Sequence, residues 1–290
     1  MTEQLKSGFV AVAGRPNVGK STIVNALCGG KVAIVSDKPQ TTRRRIFGIA
    51  NGPDYQLVLV DLPGFQRPLD LLTERMQRTV ESSFEDVDAV LLVLSAHERI
   101  GTGDRFIARR VFSLGVPVVI ALNKVDQRKP GHIAGQMKIA AELGNFYALH
   151  PISAKTGDGV ADLRDELIGL LPEGVVYFPR DVITDMPLEL RLAELVREKA
   201  LALTRDEVPH SLSVEVDEIG ERAIRARIMV ETESQKQILV GRAGRMVKAI
   251  GVQARPEVEQ LVGHRVFLDL MVKVVPRWRR DQATLERLGI

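Results

Sequence analysis

Between residues 8 and 171 the chain carries five near-continuous apolar runs: FVAVAG, YQLVLVD, AVLLVLSA, PVVIALNKVD and FYALHPISA. Runs without polar alternation fit strands buried on both faces, as in a parallel sheet covered by helices. Helical spacing between them predicts helices over 19–28, 70–85, 104–114, 133–143 and 159–171. The segment NGPD, residues 51–54, reads as a turn between two strand-like runs, so one antiparallel hairpin is expected at the sheet edge. Together these predict a doubly wound, mostly parallel α/β domain over residues 1–172.

The pattern then changes. LPEGVVYFPRD, residues 171–181, holds two prolines and a glycine, and a linker is expected over 173–186. PLELRLAELVREKALAL has helical spacing. LSVEVDEI and AIRARIMVE alternate, with Ile224, Ala226, Ile228 and Val230 on one face. A helix over 244–262 and a strand, VFLDLMVKV, follow. The order helix, strand, strand, helix, helix, strand predicts a smaller α+β domain over 187–290 with a C-terminal helix.

Composition bounds the class. Of 290 residues, 45% are hydrophobic and 27% charged, as in globular proteins with sizeable cores. No apolar run approaches the roughly 20 residues of a membrane span. MTEQLKSGFV does not pair a basic segment with an apolar one, so no leader is expected. The single cysteine, Cys28, allows no internal disulfide, and a reducing cytoplasmic setting is the expectation. The histidines are scattered, and no zinc site is expected. Net charge is +3, but its distribution says more. From Lys236 to Arg280 ten basic residues face three acids, a local excess of seven positive charges that suits a polyanion.

GRPNVGKS fits the phosphate-loop spacing G-x-x-x-x-G-K-[ST] between a strand and a helix. Its residues are Gly14, Arg15, Pro16, Asn17, Val18, Gly19, Lys20 and Ser21, and Thr22 follows. Backbone N–H groups would surround a β-phosphate, Lys20 would reach the β- and γ-phosphates, and the Ser21 hydroxyl would ligate Mg²⁺. NKVD (Asn123, Lys124, Val125, Asp126) ends an apolar strand, where ligands bind in this architecture. The Asp126 carboxylate can accept from the two donors on the guanine edge; facing adenine, a buried acid would lose about 1–3 kcal/mol. Asn123 braces the loop, and the Lys124 stem covers the ring. SAK (Ser153, Ala154, Lys155) ends the next strand, where the Ala154 N–H can donate to the guanine 6-oxygen.

Asp61, Leu62, Pro63 and Gly64 form DLPG at another strand end. Asp61 is placed to hold Mg²⁺ through a water, and the Gly64 N–H to meet the γ-phosphate. In PQTTR, residues 39–43, a threonine hydroxyl can complete the metal shell while the γ-phosphate is present; Thr42 is preferred over Thr41. Loss of the γ-phosphate then releases both segments, which makes the domain a switch. Phe65 stands where many small GTPases carry a water-orienting glutamine, so hydrolysis is expected to be slow and aided by backbone groups or a partner. The Asn17 amide oxygen is a candidate for holding a monovalent cation such as K⁺; alternatively Asn17 only shapes the loop. The expected catalytic group is Asn17, Lys20, Thr42 and Gly64.

GRAGRMVK lacks the phosphate-loop spacing and has no hydroxyl residue beside its lysine. A glycine turn between two helices, flanked by alternating strands, is the KH pattern, in which the bend admits a nucleic-acid backbone. Gly241, Ala243 and Gly244 form the bend, and Arg242, Arg245 and Lys248 supply charge. Ile238, Val240, Met246, Val247 and Ile250 make a floor for bases or a core. In VPRWRRD, Trp278 beside Arg277 is a candidate for stacking on a base.

GRPNVGKST, PQTTR, DLPG, NKVD and SAK in this order, followed by VGRAGRMVKAIG and ARPEVEQLVGHRVFLDLMVKVVPRWRRD, resemble the Era family of bacterial GTPases from Phe9 to Trp278. DLPG departs from that family's usual DTPG, and Phe65 from its more usual leucine. The resemblance implies a phosphate-loop GTPase domain followed by a type II KH domain. It also implies binding near the 3′ end of small-subunit (16S) ribosomal RNA, a role in 30S subunit assembly and rRNA maturation, and peripheral association with the inner face of the cell membrane. A monomer using GTP or GDP and Mg²⁺ is expected. Two other readings compete: an RNA-binding assembly factor whose nucleotide is structural and not turned over, and a membrane-surface GTPase using its basic C-terminal half on anionic lipid.

Overall fold

A computed structural model of the chain describes residues 5–38, 40–65, 68–206 and 208–290. Two compact units result: one runs up to Asp185, and the other is Met186–Ile290 together with Leu69–Glu74 and a short stretch from Ser36.

The first unit is a six-stranded sheet of β1 (Lys6–Ala13), β2 (Ile46–Asn51), β3 (Tyr55–Asp61), β4 (Ala89–Ser95), β5 (Val118–Asn123) and β6 (Ala148–Pro151). Its order is β2-β3-β1-β4-β5-β6. Every pairing is parallel except β2 with β3, the expected edge hairpin. The helices are α1 (Lys20–Cys28), α2 (Leu71–Ser82), α3 (Thr102–Phe112), α4 (Pro130–Ala141) and α5 (Val160–Leu170). All seven residues of β4 are buried. Its Leu92 and Leu94 meet Val80 of α2, Ile107 and Val111 of α3 and Ala140 of α4 on one face. Helices α1 and α5 cover the other face. An unbroken apolar run is therefore what this strand requires, each leucine contributing roughly 1.5–3 kcal/mol by burial.

The stretch expected as a linker lies along the edge of this unit. Ser7 N–H donates to the Pro172 carbonyl (3.0 Å), Gly174 N–H to that of Leu5 (3.0 Å) and Ile49 N–H to that of Ile183 (2.9 Å). Gln56 fastens its middle. The Gln56 Oε1 accepts from the N–H groups of Tyr177 (2.7 Å) and Phe178 (3.0 Å), while its Nε2 donates to the Phe178 carbonyl (2.8 Å) and to Asn51 Oδ1 (2.7 Å). The strap thus closes hydrogen bonds that an edge strand would leave open.

The second unit has a three-stranded sheet, β7 (Ser213–Ile219), β8 (Ala223–Val230) and β9 (Phe267–Val274), with β8 central. β8 is antiparallel to β7 and parallel to β9. Its helices are α6 (Leu188–Leu203), α7 (Val208–Ser211), α8 (Glu233–Val240), α9 (Arg245–Val262) and α10 (Gln282–Arg287). Leu192, Val196 and Ala200 of α6 and Ile250, Ala254 and Val258 of α9 recur every fourth residue. These two stripes bury Ile224, Ala226, Ile228 and Val230, the face that alternation in β8 marks out. Thr232 opens α8 with a capping box: its hydroxyl accepts from Gln235 N–H (3.3 Å), and Gln235 Oε1 accepts from Thr232 N–H (3.1 Å).

Replacing Gln56 by Ala leaves the Tyr177 and Phe178 N–H groups without their acceptor. The expected loss is about 1–3 kcal/mol. Limited proteolysis should show cleavage near residues 175–182 rising ahead of cleavage elsewhere, with urea denaturation giving the energy.

Candidate functional site

The phosphate loop joins the end of β1 to α1, and its shape depends on residues that accept a left-handed backbone. Asn17 has φ 64° and Gly19 φ 102°. A Cβ on Gly19 would stand 2.2 Å from Asn123 Nδ2. Asn123 is buried at the end of β5; its Nδ2 donates to the Val18 carbonyl (3.0 Å) and its Oδ1 accepts from Ala154 N–H (3.0 Å). One carboxamide therefore joins three loops. Lys124 has φ 68°, and its Nζ donates to the Asn17 carbonyl. Val125 N–H donates to the Ile152 carbonyl (3.2 Å), and the Ser153 hydroxyl donates to Asp126 Oδ1 (2.8 Å).

Two expectations change here. The Ala154 N–H, expected to meet a guanine 6-oxygen, is already engaged by Asn123. Asp126, expected to be a buried acid, is exposed, so a base must itself complete the burial. Lys155 is exposed beside it.

Lys20 is buried, and its Nζ donates to the carbonyls of Gly14 (3.2 Å) and Arg15 (3.1 Å). Burial holds its pKa down, to about 8, against the pull of Asp61. Asp61 is fully buried at the end of β3, and burial raises its pKa against Lys20, Ser21 and Thr42. Ser21 Oγ donates to Asp61 Oδ2 (2.8 Å) and lies 3.0 Å from Thr42 Oγ1, which is 3.3 Å from the same carboxylate oxygen. It is Thr42 that the fold brings to Asp61. Pro39, the first residue of PQTTR, lies outside the described residues. Asp61 Oδ1 is buried with no hydrogen-bond partner. Two hydroxyls converging on a carboxylate with one orphaned oxygen form a hard-oxygen set that suits Mg²⁺.

Leu62 and Pro63 are buried, and a Cβ on Gly64 would stand 2.8 Å from Pro16 Cγ, so DLPG abuts the phosphate loop. Phe65 turns into the core and stacks on Phe84 at 6.0 Å. No side chain from that position can reach a water. Thr22 lies half-buried in α1. Arg15, expected to line the pocket, turns its guanidinium outward to Asp104 and Glu98, so only its backbone serves the pocket. Burial raises the Cys28 thiol to about 12, which removes it as a nucleophile.

In the second unit Gly241 (φ 69°), Ala243 (φ 53°) and Gly244 (φ 74°) make the bend between α8 and α9. The two glycines differ. A Cβ on Gly241 would stand 2.8 Å from Met246 Cβ, whereas one on Gly244 would meet nothing within 4 Å. Gly241 is required by packing; Gly244 leaves room on the open side. Arg242, Arg245 and Lys248 are exposed around it. Of the expected apolar floor, Ile250 is core, Val240, Met246 and Val247 are half-buried, and Ile238 is exposed.

Trp278 requires a correction. It is fully buried, and its Nε1 donates to the Ser211 carbonyl (2.8 Å). It cannot stack on a base; Arg277 beside it remains exposed. The exposed aromatic is Phe267, 64% accessible on the edge strand β9. With Val247, Lys248, Val252 and Arg255 it lines a groove of about 350 Å³. Sequence reading missed this groove, because β9 alternation marks Phe267 as outward but not as lying beside α9.

A parallel sheet whose phosphate loop, acidic metal position and NKVD loop share one end, together with a three-stranded unit carrying a GxxG bend, defines a phosphate-loop GTPase with a KH domain. The family described as 50S ribosome-binding GTPase matches residues 9–124, and the KH domain family matches residues 207–279. GTPase Era of Thermotoga maritima is 46% identical over 99% of this chain and 98% of its own length. A crystal structure of an Aquifex aeolicus Era variant bound to GDP and aluminium fluoride superposes with TM-score 0.93 at 38% identity, covering 98% of this chain and 99% of that one. An Era complex with MgGDPNP and nucleotides 1506–1542 of 16S ribosomal RNA gives 0.94 at 39% identity over 98% of this chain and 99% of its own. The chain belongs to the GTPase Era family and is a GTPase.

Gly19→Ala should break the Asn123–Val18 link, because the new Cβ cannot share the space of Asn123 Nδ2. GDP affinity should fall by about tenfold or more, as expected for a lost buried hydrogen bond with strain. Fluorescent-GDP titration reads the loss, and circular dichroism checks that the fold is kept.

Proposed function

We propose that the chain is a slowly hydrolysing GTP switch that binds 16S ribosomal RNA near its 3′ end and assists maturation of the small ribosomal subunit. The convergence of Ser21, Thr42 and the orphaned Asp61 carboxylate beside Lys20 carries the reading. A site of structural nucleotide alone has no need of three groups set to respond to a γ-phosphate.

Ser21 and Thr42 hydroxyls would hold Mg²⁺ directly and Asp61 through a water. Bound there, the ion would neutralise phosphate charge. Lys20 is preset for a phosphate: buried with two carbonyls, its ammonium gains most when anionic oxygens arrive. Asp126 reads the two guanine donors while Ser153 holds its other side. With Phe65 in the core, the attacking water is left to the Gly64 N–H, to the Asn17 amide oxygen through a K⁺ ion, or to a bound partner. The segments carrying Thr42 and Asp61 are the switch, because both residues stand at the metal position.

The Gly244 side of the bend, its arginines and the groove with Phe267 and Arg255 form the proposed RNA surface. The Era complex with nucleotides 1506–1542 of 16S ribosomal RNA supports this choice of partner. The proposed setting is the cytoplasm. Among the described residues no helix is long and apolar enough to cross a membrane.

Asp126→Asn should move preference from guanine to xanthine nucleotides by roughly tenfold to a hundredfold, the worth of one reversed buried hydrogen bond. Competition of GTP, XTP and ATP for a fluorescent analogue measures it, and ATP competing equally with GTP in the unaltered protein would sink the reading. Gly244→Asp should abolish crosslinking to the 3′ end of 16S ribosomal RNA, with GDP affinity as the internal control. Single-turnover GTP hydrolysis should rise in K⁺ over Na⁺; equal rates would remove the role given to Asn17.

A further inference from the structure

The phosphate loop is held from outside the pocket as well as from within. Arg15 faces two ways. Its carbonyl accepts from Lys20 Nζ (3.1 Å). Its side chain turns away: Nε donates to Asp104 Oδ1 at 2.7 Å and Nη2 to Glu98 Oε2 at 3.2 Å. Asp104 is only 1% exposed at the start of α3. Its Oδ2 accepts from Gly101 N–H (2.9 Å), so one oxygen caps the helix and the other holds the arginine. Gly103 makes the approach possible, since a Cβ there would stand 2.9 Å from Arg15 Cδ.

The loop that carries Glu98 is itself tied to the base end of the pocket. Ala96 N–H donates to the Asn123 carbonyl (2.7 Å). Arg128 Nη2 donates to the His97 carbonyl (2.8 Å), and His132 Nε2 lies 3.1 Å from that of Ala96. The segment from 96 to 104 thus spans the phosphate loop and the NKVD loop with polar contacts at both ends.

We propose that Asp104 is a positioning residue for guanine-nucleotide binding: through Arg15 it fixes the phosphate loop in its binding shape and locks that loop to the base-recognition end. The inference rests on reading GRPNVGKS as the GTP cradle. An ionised carboxylate this buried requires a charged, hydrogen-bonded partner, and Arg15 is that partner. A helix cap alone would need only one of its oxygens.

Asp104→Asn separates the two roles. The amide oxygen can still cap α3, while the amide NH₂ turned to Arg15 sets donor against donor. In the full chain, Asp104→Asn and Arg15→Ala should each weaken fluorescent-GDP and GDPNP binding about tenfold, the scale of a charge-assisted hydrogen bond. The double variant should be no weaker than the worse single one. KM for GTP should rise more than kcat falls, because the loop acts in ground-state binding. Arg15→Lys should restore part of the affinity, which a merely structural role would not produce. Unchanged affinity in Asp104→Asn, or single effects that multiply in the double variant, would overturn the proposal. Should Asp104→Asn fail to fold, Arg15→Ala against Arg15→Lys reads the same strut from a partly exposed side chain. Failure of the unaltered protein to bind GDP would overturn the nucleotide reading itself, and this one with it.

Discussion

The nucleotide unit depends on one buried carboxamide. Asn123 donates to the Val18 carbonyl and accepts from the Ala154 N–H, at 3.0 Å each, linking loops that follow β1, β5 and β6. A buried amide is costly unless its groups are paired, so this side chain is stable only when the three loops are where it needs them. The same requirement excludes a Cβ at Gly19. The pocket is therefore assembled by mutual constraint: the base loop cannot shift without opening the phosphate loop.

Charge supplies the second constraint. Lys20 and Asp61 are both buried, and burial works against the charged form of each. They offset one another, but one carboxylate oxygen is left without a donor. Such a pair is poised for ligands of both signs, an anionic phosphate at the lysine and a cation at the carboxylate. The hydroxyls of Ser21 and Thr42 stand at that carboxylate. In the proposed switch, a loop held this way would be ordered by a ligand and freed by its loss.

The KH unit uses a simpler device. Its core is two stripes at every fourth residue packed on one face of a strand, with Arg197 of α6 buried against Glu194 at 2.6 Å. Arg242, Arg245 and Lys248 stay on the surface around the bend. Gly241 is there for packing against Met246, while Gly244 keeps the outer side open. Trp278 seals the core with a hydrogen bond to Ser211, which gives the exposed aromatic position to Phe267.

Much of this was legible in the chain. Unbroken apolar runs marked strands buried on both faces, and β4 is buried throughout. NGPD marked the antiparallel pair at the edge of the six-stranded sheet, and the alternation from Ile224 to Val230 marked the face that α6 and α9 cover. Loop motifs at strand ends were legible because their chemistry demands particular residues at particular spacings, as with Lys20 and Ser21. What tertiary structure alone decided was where side chains with two plausible destinations point. Trp278 could stack or pack, Arg15 could line the pocket or brace it, and Asp126 could be buried or await its base. Each choice turned on neighbours distant in sequence (Ser211 for the tryptophan, Asp104 for the arginine), and no local period encodes such partners. Local pattern sets which backbone forms and which face is apolar; the direction of an amphipathic side chain is set by whatever the fold brings beside it.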